Sequence, residues 1–236
     1  MANDLNLLCA GAVKGLVLAT QGAFERDAGV RLNAGFGAVG AIRDLLRAGT
    51  PCDVFIATDA MVESLAASGA LQAGSRRTIG RVQTAIAVKA TAPSRPRIDD
   101  AASLRSTLLD AAAIYFPDAT LSTAGKHVAS IIDRLGLQAA LASRLRMFAN
   151  GATAMRELAA DADEGAIGCT QATEIRYTPG LALVGALPPP YALATVYSAG
   201  VAAGARDVDA AHRLIELLAG AASADRRAAG GFDADA

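Results

Sequence analysis

Apolar positions in this chain recur with two periods, and the two periods take turns. Leu5–Cys9 is a short unbroken apolar run and predicts a strand. Val13–Ala28 follows with Leu16, Ala19, Ala23 and Phe24 near one face, which predicts a helix. Val30–Ala34 then reads as a strand and Gly40–Ala48 as a helix stopped by Gly49. Val54–Ala57 is the next strand, and Ala60–Ser68 is a helix closed by Gly69. Strands alternating with helices in this way imply an α/β fold with a parallel sheet covered on both faces.

Beyond residue 80 the pattern changes. Thr84–Lys89 reads as a crossing strand, followed by a loop holding Pro93 and Pro96. Helices are predicted over Ser103–Ala111, Ala124–Leu135, Leu137–Arg144 and Thr153–Asp161. Strands are predicted over Ala113–Phe116, Ala166–Cys169, Leu181–Leu187 and Ala192–Ala199, before a last long helix at Val208–Ala219. The changes of regime near 80 and 192 predict two lobes, the first made of 1–82 plus 193–236 and the second of 83–192. A layout of this kind places a ligand cleft between lobes, at the carboxyl ends of strands.

Composition narrows the partners. The 236 residues are 53% hydrophobic and 4% aromatic with no Trp, so the core must be close-packed from small side chains. Lys plus Arg is 22 against 23 for Asp plus Glu, a balance that argues against nucleic acid. No apolar stretch reaches the ~18–20 residues of a membrane span, so no membrane insertion is expected. Met1-Ala2-Asn3-Asp4 lacks a basic n-region, so the chain reads as cytoplasmic, or as the mature form of an exported protein. Cys9, Cys52 and Cys169 sit in apolar contexts without metal-ligand spacing. They read as buried reduced thiols, with Cys169 the first choice if one is catalytic; no metal or other cofactor is called for.

Three loops follow predicted strands and open helices: Gly11-Ala12-Val13, Gly35 to Gly40 including Ala38 and Val39, and Ser122-Thr123-Ala124-Gly125. Small residues with open helix-start amides can cradle an anion; they also suit tight strand-to-helix packing. GFGAVG matches a dinucleotide fingerprint by spacing, with Asp53 or Asp59 as the acidic partner, but it follows the second strand rather than the first. Lys14 and Lys126 lie at helix starts, where a cation opposes the macrodipole unless an anion binds there; both could equally be solvated lysines. His127 is open to a core role or to acid–base work, whereas His212 reads as surface. Thr170 and Gln171, after a strand, could bond a ligand or cap the next segment.

Taken together, LNLLCAGAVKGL, RAGTPCDVFIATD, YFPDATLSTAGKHVASIIDRLGL and ADEGAIGCTQATEI resemble the molybdate-binding, type II periplasmic binding proteins of ABC importers over nearly the whole chain. The resemblance implies two α/β lobes joined by two crossings, an anion held between them, and an ABC permease as partner if the chain is exported. In that family two Ser hydroxyls and a Tyr hydroxyl reach the oxyanion; the matching positions here are Ala12, Val39 and Gln171. The family's backbone donors match Ala124 and Gly151. With the hydroxyls gone and Lys14, Thr123, Lys126 and His127 nearby, a carboxylate suits the site better than a compact oxyanion. The family includes aconitate-isomerase-like members. The lost hydroxyls and gained cations then point to an isomerase of a small di- or tricarboxylate resembling aconitate isomerase, with Lys14, Lys126 and His127 as candidate catalytic groups, the alternative being the molybdate, tungstate or other oxyanion-binding component of an ABC importer.

Overall fold

The computed structural model describes residues 4–233. It divides into two compact units, Met1–Val82 with Thr195–Ala236, and Gln83–Ala194.

In the first unit, β1 (Asp4–Ala10) is buried along most of its length because it lies between two parallel neighbours, β2 (Arg31–Gly37) and β3 (Val54–Thr58). Leu5, Leu7 and Cys9 therefore need no polar face, which is why the run is unbroken. The helices α1 (Lys14–Ala28), α2 (Val39–Arg47) and α3 (Asp59–Ala67) connect and follow these strands. Gly29 ends α1 with φ +70°, a left-handed turn that spares the Cβ penalty, and returns its N–H to the Glu25 carbonyl. The sheet is not wholly parallel. Strand β9 (Ala194–Val201) joins β3 antiparallel before α9 (Val208–Ala219) and α10 (Ala224–Gly230) close the unit. A chain returning from an inserted unit meets the sheet edge from the opposite direction, which alternating sequence periods cannot reveal.

Strand β4 (Arg77–Lys89) carries the chain from the first unit into the second. It begins seven residues earlier than the apolar pattern predicts. Gly80 and Arg81 disguise that start, and the fold accounts for both. The Phe232 ring sits where a Cβ on Gly80 would be, 2.9 Å from it, and Arg81 pairs with Asp233 at 2.8 Å. The Asp233 N–H adds a bond to the Arg81 carbonyl at 2.8 Å, so Phe232 and Asp233 are clasped along β4.

The second unit contains α4 (Ala101–Asp110), β5 (Ile114–Pro117), α5 (Thr123–Arg134), α6 (Gln138–Leu141), β6 (Leu145–Phe148), α7 (Gly151–Ala160), β7 (Ile167–Gln171), α8 (Ala172–Tyr177) and β8 (Leu181–Ala186). Its strands lie in the order β6, β5, β7, β4, β8, with β5 parallel to both its neighbours and β4 antiparallel to β7 and β8. Helix α5 buries Ala124, Val128, Ile131 and Ile132, the i, i+4, i+7, i+8 stripe of a core-facing helix. Val128, Ile131 and Ile132 share a core with Ile86, Leu104 and Ile114. The helix predicted over Leu137–Arg144 shortens to α6, and Ala142–Arg144 instead form a turn leading into the half-exposed edge strand β6. No helix of the described residues is long and apolar enough to cross a membrane.

Phe232 is 6% exposed, so Phe232→Ala should cost about 3 kcal/mol by removing the ring packed on Gly80. Urea unfolding of the variant beside the wild type measures this.

Candidate functional site

At the end of β1, a single 3-10 turn over Gly11–Val13 delivers the chain straight into α1. Ala12 and Val13 are buried, so this turn offers a ligand backbone groups and no hydroxyl. Lys14 is the first residue of α1, half-buried, with its ammonium 5.5 Å from the centroid of the Phe36 ring on β2. Ala38 occupies the position before α2 in an extended conformation with no side-chain cap, and Val39 begins the helix with its side chain buried. The first amides of α2 therefore have no side chain closing them.

The dinucleotide match does not survive this geometry. Pairing of β2 with β1 continues through Gly37, so Gly35 and Gly37 lie within a strand rather than in a phosphate-binding turn. Its acidic candidates are committed elsewhere. Asp53 accepts from the Asn6 and Arg206 amides and the Asn6 side chain, and Asp59 accepts from Ser198 at 2.6 Å and Arg76 at 2.9 Å.

In the second unit, the turn from β5 into α5 is built around Asp118. Its carboxylate accepts from the Thr120 hydroxyl and from the amides of Thr120 and Leu121, each at 2.7 Å. Those bonds, with Lys126 nearby, hold its carboxyl below the ordinary aspartate value. The Ser122 hydroxyl then caps α5 by accepting from the Gly125 amide at 3.3 Å. Gly125 is required here, since a Cβ would stand 2.1 Å from the Asp118 carbonyl oxygen. Thr123 is half-buried and Ala124 buried at the first two helical positions.

Lys126 and His127 part company despite being neighbours. Lys126 is exposed, while His127 is half-buried with Nε2 2.7 Å from the Tyr191 carbonyl oxygen. A carbonyl only accepts, so Nε2 carries the proton in this contact. The Arg134 guanidinium covers the Tyr191 ring at 4.6 Å from its centroid, so α5 grips the return segment at two points.

A separate group forms where β7 passes directly into α8. The Thr170 hydroxyl donates to the Glu174 carboxylate at 2.5 Å, and both residues are buried. Gly151, the first residue of α7, lies against this pair: a Cβ there would be 2.0 Å from Glu174 Oε2 and 2.2 Å from Thr170 Oγ1. Asn150 caps α7 by accepting from the Thr153 amide at 2.9 Å. Gln171, 2% exposed, ends β7 opposite Thr84 of β4. The structure thus gathers Gly151, Thr170 and Glu174, and sets Gln171 beside Thr84. Neither Glu174 nor Thr84 stands out in the sequence. The four-residue spacing from Thr170 was the one available sign of Glu174.

The thiols take no part in these arrangements. Cys9 and Cys169 are buried and Cys52 is half-buried. Burial pushes Cys169 up to about 12 and Cys52 likewise to about 12, with Cys9 raised further still. No group of three or more His, Cys, Asp or Glu among the described residues is placed to hold a metal ion.

Comparison with known proteins adds four likenesses. The model of a family described as bacterial extracellular solute-binding protein matches residues 5–233. A protein named aconitate isomerase from Pseudomonas sp is 28% identical over 224 residues, which is 91% of this chain and 82% of that protein. The periplasmic molybdate-binding protein of Azotobacter vinelandii superposes with a TM-score of 0.78 at 19% identity, over 97% of this chain and 98% of that one. The sulfate-binding protein of Mycobacterium tuberculosis gives a TM-score of 0.70 at 16% identity, over 98% and 86%.

Two outcomes follow from this geometry. Gly151→Ala should lose about 1–3 kcal/mol, because its methyl meets the Thr170–Glu174 pair, and a denaturant melt reads the loss. With a thiol held at about 12, roughly one molecule in ten thousand is thiolate at pH 8. Native protein should therefore resist iodoacetamide at Cys169 at pH 8 under conditions that label it fully in urea, as counted by mass spectrometry.

Proposed function

Because the chain belongs to the bacterial extracellular solute-binding protein family, we propose that it binds a small di- or tricarboxylate and isomerises it by allylic proton transfer. The observation that carries this reading is the donor set at the helix starts. Ala12, Ala38 and Val39 turn apolar side chains inward, leaving backbone amides, and Lys14 brings a positive charge to the start of α1. A compact dianion stripped of water needs several strong donors around one centre. A carboxylate spreads its charge over two oxygens and is matched by paired amides and an ammonium. The likeness to an aconitate isomerase over 91% of the chain supports the same choice.

The reaction is balanced within the substrate. A base takes a proton from one carbon, the double bond moves over by one position, and a proton returns to the far carbon. No oxidant or second substrate is consumed. The carbanion formed on the way pushes charge into the carboxylates, so groups that hold those carboxylates also stabilise the transition state. In this reading Lys14 and Lys126 balance carboxylate charge. His127, with Nε2 held by the Tyr191 carbonyl, has Nδ1 left for proton transfer. Gly11, Ala12, Ala38, Val39, Thr123, Ala124 and Gly151 contribute backbone contacts and Gln171 its side chain, while Thr170, whose one hydroxyl proton goes to Glu174, supports the site through that bond.

A second reading is favoured by the match to the molybdate-binding protein over nearly the full length of both chains. Here the chain carries an oxyanion to an ABC permease and does no chemistry.

Calorimetric titration with trans-aconitate, cis-aconitate, molybdate and sulfate separates the two, followed by proton NMR of each aconitate incubated with the protein. Binding of an aconitate with growth of the other isomer's vinyl signal is the expected result. Heat from molybdate alone, with no isomer formed, would replace the first reading by the second. Lys14→Met should lower kcat/KM for isomerisation about tenfold to a hundredfold, as loss of a charge-assisted bond does.

A further inference from the structure

Thr84 is 0% exposed, and its Oγ1 has no hydrogen-bond partner among the described residues. Its backbone is fully used: the Thr84 N–H donates to the Leu193 carbonyl at 2.8 Å, and the Leu187 N–H donates to the Thr84 carbonyl at 3.0 Å. The hydroxyl alone is left over. A buried hydroxyl without a partner is a standing cost, and valine would fill the same volume without it.

The position of this hydroxyl in the sheet gives it a use. Thr84 lies directly opposite Gln171 across the β4–β7 pair, so both side chains leave the same face. Two residues further on, Ile86 lies opposite Cys169, and this pair enters the apolar core with Val128 and Ile131 of α5. Thr84 and Gln171 are therefore the polar end of an otherwise apolar row on the face that α5 covers. That end is the carboxyl end of β7. Strand β5 runs parallel to β7, so its carboxyl end, where α5 begins, lies on the same side. There the Ser122 hydroxyl takes the Gly125 amide, and the amides of Thr123 and Ala124 have no partner within the helix. An open twelve-residue helix start and a buried, unpartnered hydroxyl thus occur on one face and at one end of the unit.

We propose that Thr84 is a ligand-recognition residue whose hydroxyl donates to a carboxylate oxygen of the bound anion, beside Gln171 and the Thr123 and Ala124 amides. The assignment rests on the carboxylate reading given above. It makes the β4 crossing strand part of the binding site, alongside the loops after β5 and β7. It also sets a selectivity: one short donor aimed from a strand favours an extended carboxylate, whose oxygen can reach it while the rest of the molecule sits on the helix start.

The test is calorimetric titration of trans-aconitate into wild type, Thr84→Val and Thr84→Ser, with thermal melts of each unliganded protein. Thr84→Val should raise Kd by about five- to twentyfold while the unliganded melting temperature stays level or rises, because the unmet hydroxyl is gone. Thr84→Ser, which keeps the donor, should bind within about threefold of wild type. Should valine not be accommodated, Thr84→Ala removes the same hydroxyl and is read in the same way. Equal affinity in wild type and the hydroxyl-free variant would overturn the assignment of Thr84 and leave the carboxylate reading standing. A wild type that binds neither aconitate isomer would overturn the carboxylate reading itself, and this inference with it.

Discussion

A carboxylate nearly sealed from water lies against the start of α7, and much of the second unit's geometry answers to it. Burying Glu174 is tolerable only if its oxygens find donors, and the Thr170 hydroxyl supplies one at short range. The four-residue spacing that makes this possible needs β7 to run into α8 without a connecting loop, as it does. The same pair forbids any side chain at Gly151, so α7 starts with a glycine pressed onto it. Its N-terminal partial charge then adds to the carboxylate's stabilisation. Strand, helix and helix start are thereby fixed against one another by a single ionisable group.

Helix starts elsewhere solve a related problem by different means. Asp118 gathers three donors from its own turn and so shapes the chain before α5. Ser122 caps that helix with a neutral hydroxyl, while Ala38 caps α2 with nothing. Positive charge is placed sparingly, with Lys14 half-buried over an aromatic ring and Lys126 exposed. An anion entering such surroundings meets backbone amides first and side chains second. This explains how a chain with a net charge of −1 can still suit an anionic ligand.

What the sequence discloses depends on whether a signal is periodic or positional. The strand at Leu5–Cys9 and the helix at Val208–Ala219 are plain because one is unbroken and the other keeps an apolar stripe over three turns. The first half of β4 is obscured because its glycine packs against a residue some 150 positions later, a contact no local window contains. Strand β6 is short, half-exposed and on an edge, so neither period is imposed on it. The family resemblance rests on whole phrases such as RAGTPCDVFIATD, and the family model matching residues 5–233 bears it out. The chemistry of single positions is another matter. His127 reads alike whether it faces a ligand or a carbonyl, and only the fold puts its Nε2 on Tyr191. Thr84 looks like any strand threonine until the fold leaves its hydroxyl buried without a partner among the described residues.

The three thiols are all free. Cys9 and Cys169 are buried within strands, and Cys52, half-buried, lies just before β3. Once folded, the protein holds these thiols protonated by burial, so reagents that need a thiolate reach them slowly. The vulnerable interval is the journey. An unfolded chain exposes three thiols able to pair wrongly, so compaction must outrun oxidation wherever the protein is made.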